Sequence, residues 1–239
     1  MTLQLEMPER GIATQQFEIE RMDALAPERG GRLGGISLGA PLWRARWTLS
    51  RSLTRDMSDE WRAWFLRLRG SQRAFLAVDR DRLFPRACPQ GFSTMTKTDG
   101  TPFTGAAASW SQTIDADGEA TLALTGLPAG LVLGRGDYVG FRWDAAGSPV
   151  GTFDRRALVR CVESVPVRVA GDGTVSLLVE MPVPADTYPG GVVPAAAEAH
   201  LDRPACLMRM VPNEGELGAL DRRQKISGGT VSALQDLRA

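Results

Sequence analysis

Residues 41–70 read PLWRARWTLSRSLTRDMSDEWRAWFLRLRG and hold four of the chain's six tryptophans. Their hydrophobic period changes halfway along. From Trp43 to Ser50, apolar and polar residues alternate, which is the period of a strand with one buried face. Trp43, Ala45, Trp47 and Leu49 take the core side, and Arg44 and Arg46 the outer side. Ser58-Asp59-Glu60 then supplies an N-cap and an acidic first turn. Trp61, Trp64, Phe65 and Leu68 follow at helical spacing, and Gly70 stands where a glycine stop belongs. A helix of about three turns is not stable alone in water. It therefore packs, and the tryptophan face of the preceding strand is the partner at hand. Burying each ring contributes roughly 2–3 kcal/mol. Trp43, Trp47, Trp61, Trp64, Phe65 and Leu68 are the expected core of this unit.

Working outward, residues 74–78 read as a buried strand, and residues 17–20 and 35–38 as weaker ones. Residues 26–32 combine proline, glycine and charge and read as a loop or hairpin tip. Past Leu83 the texture changes. Pro85, Pro89, Gly91 and a polar run to Gly105 mark a boundary, and short alternating segments with Asp-Gly turns follow. Asp117-Gly118 precedes one such segment, Gly136-Asp137 another, and Gly171-Asp172-Gly173 joins two more. Asp-Gly between alternating runs is a strong hairpin signal. Residues 90–190 are thus expected to form a small all-β barrel or sandwich. Residues 182–204, rich in proline, glycine and alanine, read as a return linker, and residues 205–211 as a strand. Residues 223–227 and 230–237, parted by Gly228-Gly229, read as a final hairpin or one bulged strand.

The predicted fold is mainly β: a split β-barrel with one short α-helix, formed by residues 1–85 and 205–239, with a second β-rich domain over residues 90–204 inserted into it. Insertion is tolerated where the guest's ends lie close together. The 239 residues are ample for such a core.

Charge balances at 28 basic against 28 acidic residues, which argues against a dedicated nucleic-acid binder. Lys97 and Lys225 are the only lysines. The excess of arginine fits either interface chemistry or a GC-rich genome. Three scattered cysteines do not make a disulfide framework. No signal peptide or membrane-spanning run is visible, so folding in a reducing cytoplasm is expected.

Signals for catalysis are weak. His200 is the only histidine and has no Cys or His at metal-ligand spacing, so no metal or catalytic role is assigned to it and it reads as a surface or linker residue. No G-x-S-x-G elbow is present. The glycines at 134, 136 and 140 miss the dinucleotide spacing by one residue and lead into a strand, so they read as a turn. Arg135-Gly136-Asp137 spells a cell-adhesion tripeptide, which a loop before a strand explains equally well. Residues 115–119 have the flavour of a calcium loop but lack its full ligand set. No cofactor is expected.

The order of these segments resembles tail proteins of bacteriophages with long, non-contractile tails. The likeness rests on Phe17-Glu18-Ile19-Glu20, on residues 35–43 before the Trp47 strand, on Glu60-Trp61-Arg62-Ala63-Trp64, and on residues 68–76. Residues 126–130, Gly136-Asp137-Tyr138 and Gly171-Asp172-Gly173 extend it. In domain order the best match is the distal tail protein family. That resemblance implies a tail-tube-type barrel and a structural, non-enzymatic subunit of a homo-oligomeric, hexameric ring. The ring joins the tail tube above to the tip or baseplate hub below. It implies a virion location at the tail tip, assembly in the bacterial cytoplasm, DNA only in transit through the lumen, and no membrane insertion. Arg29, Arg32, Arg44 and Arg46 are the expected inter-subunit contacts. Residues 21–35 suit a loop that orders on assembly. An alternative is a host-surface carbohydrate-binding module using Trp110 and Trp143 as glycan contacts. A third possibility is a cell-wall hydrolase of the tail tip, whose sign would be a paired Asp/Glu cleft.

Overall fold

The computed structural model describes residues 5–27, 33–144, 146–147, 154–184, 192–220, 226–227 and 229–237. Among the described residues strand accounts for 43% and helix for 7%, so the fold is mainly β with a single helix there. The chain begins with β1 (Leu5–Glu6), β2 (Ile12–Glu20), β3 (Asp23–Pro27), β4 (Leu33–Ser37) and β5 (Leu42–Leu49), then α1 (Arg55–Leu68) and β6 (Phe75–Val78). There follow β7 (Ser109–Ile114), β8 (Ala120–Thr125), β9 (Val132–Leu133), β10 (Tyr138–Trp143), β11 (Arg155–Cys161), β12 (Val167–Arg168), β13 (Val175–Glu180) and β14 (Glu198–His200). The chain closes with β15 (Ala205–Met210), β16 (Ala219–Leu220), β17 (Ile226–Ser227) and β18 (Thr230–Gln235). It divides into two compact units. A split unit comprises Leu5–Phe75 and Met208–Asp236, and a middle unit is built on Leu76–Leu207.

In the split unit, β5 lies between β2 and β18, both antiparallel to it. The alternation of residues 43–50 is realised as expected: Trp43, Ala45, Trp47 and Leu49 are buried, while Arg44 and Arg46 lie on the other face. Across the ladders, Phe17 and Ala233 stand opposite Ala45, and Val231 opposite Trp47, so one face of three strands is largely apolar, with Gln15 also opposite Trp47. Helix α1 buries Trp61, Trp64 and Leu68. Its rings join those of the strands in a run. Trp61 meets Trp64 at 5.4 Å between centroids, Trp64 meets Phe75 at 5.0 Å, and Phe75 meets Trp47 at 6.0 Å. Phe17 continues the run, 6.5 Å from Trp47 and 5.4 Å from Trp43. Phe65 is only half-buried, at the side of the helix near Gly215.

The helix starts one turn earlier than its sequence suggests. Thr54 is the N-cap, its Oγ1 accepting from the Met57 N–H at 3.4 Å, with Asp56 in the first turn. Ser58 is therefore a buried residue inside the helix rather than its cap. At the other end Arg69 itself takes the left-handed conformation, and Gly70 follows at φ 66°. Trp61 also ties the helix to the chain before β2, because its Nε1 donates to the Arg10 carbonyl at 2.8 Å. The adjoining Gly11, at φ 93°, has no room for a side chain: a Cβ would stand 2.3 Å from Leu53.

The middle unit is a six-stranded antiparallel sheet in the order β14-β10-β11-β13-β8-β7. Its two ends meet. Ala107 N–H donates to the Ala199 carbonyl at 2.9 Å, and Ala106 bridges His200, closing the sheet on itself as a small barrel. Leu122, Leu124, Phe141, Val159, Leu177 and Val179 fill it. Residues 192–204 are not a linker. Val193, Ala197, Ala199 and Leu201 are buried, and β14 is a working strand of the barrel. Alanine and proline there satisfy close packing, which composition alone reads as a spacer.

Trp61→Ala is expected to lower the unfolding free energy by about 3–5 kcal/mol, through the cavity left in the ring run and the lost bond to Arg10. Urea melts of the two proteins measure it, and an unchanged midpoint would refute the packing described.

Candidate functional site

Strands β3 and β4 form a two-stranded ribbon that belongs to neither larger sheet. It is an excursion from the β2–β5 pair. Glu20 stands opposite Leu42 in that pair, whereas in the ribbon Asp23 stands opposite Ser37, and Leu38 N–H donates to the Met22 carbonyl at 2.7 Å. Between the two registers, Arg21 on one strand is matched by Gly39, Ala40 and Pro41 on the other. The unequal junction breaks the ladder, and Pro41 has no N–H with which to carry it on.

The ribbon is exposed throughout β3. Alternation places Met22, Ala24 and Ala26 on one face, opposite Leu38, Ile36 and Gly34. Met22 is 48% exposed, Ile36 62% and Leu38 70%; Leu25, on the reverse face, is 72% exposed. Single exposed apolar residues are ordinary, but a contiguous apolar face on a thin ribbon is not. A lone two-stranded hairpin is also marginal in water. Beside the ribbon's base lies a second open feature. Strand β2 is the last in its sheet order, so among the described residues no strand pairs its outer edge.

The residues expected to make inter-subunit contacts fall out differently. Arg29 and Arg32 lie outside the described residues. Arg44 is already engaged: its guanidinium donates to Glu20 at 2.8 Å and to Glu214 at 2.5 Å. Those bonds raise the Arg44 pKa and lower that of Glu214. Arg44 thus acts within its own unit. Arg46, next outward on the same face, is exposed. Sequence alone marks residues 26–32 as a loop or hairpin tip and residues 35–38 as a weak strand, but the apolar face that β3 and β4 share needs the register between them.

The aromatic pair considered for glycans does not form a surface platform. Trp143 is 2% exposed and sits in the barrel core. Trp110 is half-buried, its Nε1 donating to the Ala197 carbonyl at 2.8 Å and its ring 4.9 Å from Phe141. A shallow cleft of about 300 Å³ beside it is walled mostly by alanine. Glu198 there is ion-paired to Arg142. Little remains that could hydrogen-bond sugar hydroxyls.

The other singled-out residues have structural duties. Asp115 Oδ1 accepts from the N–H groups of Asp117 and Glu119 at 3.0 and 2.8 Å, shaping the β7–β8 turn. Asp137 of the tripeptide is 3% exposed, so it is not displayed. A buried relay runs from Arg160 Nη2 to the Tyr138 hydroxyl at 2.6 Å, and from that hydroxyl to Asp79 Oδ2 at 2.8 Å. Burial, and then the Asp79 charge, raise the Tyr138 pKa, so the phenol stays protonated and donates. Among the described residues, no three His, Cys, Asp or Glu side chains are grouped to hold a metal ion.

His200, read as a surface or linker residue, is instead 2% exposed. Its Nδ1 lies 3.0 Å from the Asp202 carbonyl, and Nε2 has no partner and faces Gly140, where a Cβ would come within 2.7 Å. Burial first, then the charges of Arg142 and Arg156, push its pKa down to about 3.

No protein-family model matches this chain, and no curated protein matches it either.

The neutral His200 makes stability depend on pH. Its folded pKa lies below the ordinary value near 6.5, so between those values the unfolded chain binds the extra proton. The contribution is complete above about pH 6.5 and is lost as pH falls toward the folded pKa. Between pH 6.5 and 5, where carboxylates titrate little, wild type should lose on the order of 1 kcal/mol or more of stability. His200→Gln should show a flatter slope over that interval. Chemical melts at several pH values test it, and equal slopes would contradict the assignment.

Proposed function

We propose that this chain is a structural subunit that assembles with copies of itself into a ring, as the distal tail protein of a non-contractile phage tail does. One observation carries the reading: the exposed apolar ribbon β3–β4, set beside the open edge of β2. Both features need burial, and both lie on the split unit. Head-to-tail contacts between copies provide it, because each subunit can offer the ribbon to a different surface of its neighbour, and such contacts close into rings. Burying Met22, Ile36 and Leu38 contributes about 1.5–3 kcal/mol each, repeated at every interface of a closed ring. The resemblance of segment order to phage tail proteins supports a tube-end ring, with the tail tube and the tip hub as neighbours. The balanced net charge suits a lumen through which DNA slides without being held.

Light scattering after gel filtration, with negative-stain electron microscopy, tests this. Wild type is expected to form closed rings of uniform size. The double variant Ile36→Asp, Leu38→Asp should remain monomeric with an unchanged thermal midpoint, since neither side chain is part of the folded core. Wild type that stays monomeric at about 100 μM, a concentration at which even weak interfaces fill, would overturn the proposal.

A further inference from the structure

The middle unit carries a second feature, independent of the ribbon and of the ring reading. Two clefts of about 360 and 480 Å³ adjoin on its surface and share Arg86 and Asp137 in their walls. Four arginines line them, Arg80, Arg82, Arg86 and Arg135, against two aspartates, Asp81 and Asp137.

The buried wall carboxylate, Asp137, is not spent on these cations. Asp137 is buried and gives both oxygens to the backbone, Oδ1 to Arg86 N–H at 2.9 Å and Oδ2 to Gly134 N–H at 2.7 Å. It pins the Arg86 segment to the turn before β10, and so fixes the trough's floor. Glu163, at the rim, turns its Oε1 to the Leu178 N–H at 2.6 Å. Arg135 is held by carbonyls, not by an acid: Nε donates to Glu163 O and Nη2 to Ser164 O, both at 3.1 Å. Its position is set, and among the described residues it makes no ion pair. Arg82 lies flat over the turn, where a Cβ on Gly136 would come within 2.8 Å of its Nη1, so that glycine makes the fit possible. Arg86 is exposed.

Apart from Ser164, the rest of the lining is apolar. Leu83, Phe84 and Pro89 wall one cleft, and Val132, Val165 and Pro166 the other, with Val165 64% exposed. Guanidinium groups interspersed with apolar wall, two of them held in place, match a chain that alternates carboxylates with apolar side chains. They match nucleic acid poorly. Phe84, the one aromatic ring of the two clefts, packs edge-on against Phe92 instead of lying open for stacking.

We propose that this trough binds an acidic peptide segment of a partner protein, its carboxylates on Arg82, Arg86 and Arg135 and its apolar side chains against Phe84 and Val165. The probe is a fluorescein-labelled hexapeptide alternating glutamate and leucine, titrated with the full-length protein by fluorescence anisotropy. Saturable binding is expected, weakening as salt is raised. Arg86→Glu should weaken it about tenfold or more, and Arg135→Gln by less, with the thermal midpoint of Arg86→Glu unchanged. A peptide with glutamine in place of glutamate should bind at least about tenfold more weakly. Absence of saturable binding, equal binding of the glutamine peptide, or undiminished binding by Arg86→Glu would overturn the proposal. So would tighter binding of a labelled single-stranded oligonucleotide at matched salt, which would make the trough a nucleic-acid site. Ring assembly is read separately, so failure here leaves that reading untouched.

Discussion

The split unit depends on a run of aromatic rings that crosses from helix to sheet: Trp61, Trp64, Phe75, Trp47, Phe17 and Trp43. A fourteen-residue helix has no independent stability, and a strand with two tryptophans on one face has no solvent-compatible alternative. Each supplies what the other lacks. The mutual tilt of the rings, most of them edge to face, adds directional preference to area burial. There is a cost. The indole N–H groups of Trp47 and Trp64 find no acceptor in this core, whereas Trp61 reaches the Arg10 carbonyl. The packing tolerates two unmet donors because the surface buried around them is so large.

From that anchor the ribbon's geometry follows. Strand β5 is fixed by its rings, and β2 is fixed to β5 by a ladder that runs from Ile12 to Glu20. The last pair of this ladder, Glu20 with Leu42, holds the two ends of residues 21–41 side by side. The entropy of closing that excursion is therefore already met by the core, and the ribbon needs little of its own to stay paired. It can present apolar side chains to solvent because the aromatic core holds its base.

How much of this is legible in the sequence depends on whether a residue's partner is near in sequence or far. The Trp43–Leu49 alternation and the Trp61–Leu68 spacing are local patterns, and both faces are where those patterns put them except at Phe65, which is only half-buried. The start of α1 lies four residues before the cap that sequence suggests, at Thr54, because tertiary packing buries Ser58 inside the helix. His200 and β14 were misread because their meaning is non-local. Ala199 looks like linker until Phe141 of β10 is placed opposite it, and His200 until it stands against Gly140. The same holds for Arg44, whose pattern says exposed and whose partner Glu214 lies 170 residues away.

The two candidate surfaces sit at opposite ends of one physical contrast. On the ribbon, apolar side chains are exposed with little charge between them, which favours burial against a surface of matching shape and gives no orientation by itself. In the trough, guanidinium groups are oriented by backbone carbonyls and by a glycine turn, which favours recognition of charge at defined positions. The assembly role proposed above would draw on both kinds of contact. In general, non-directional burial supplies the free energy of association, and oriented charge discriminates between partners by where their acids lie. The ribbon springs from the ring-packed sheet, while the trough is shaped by a buried aspartate that ties the Arg86 segment to the turn before β10.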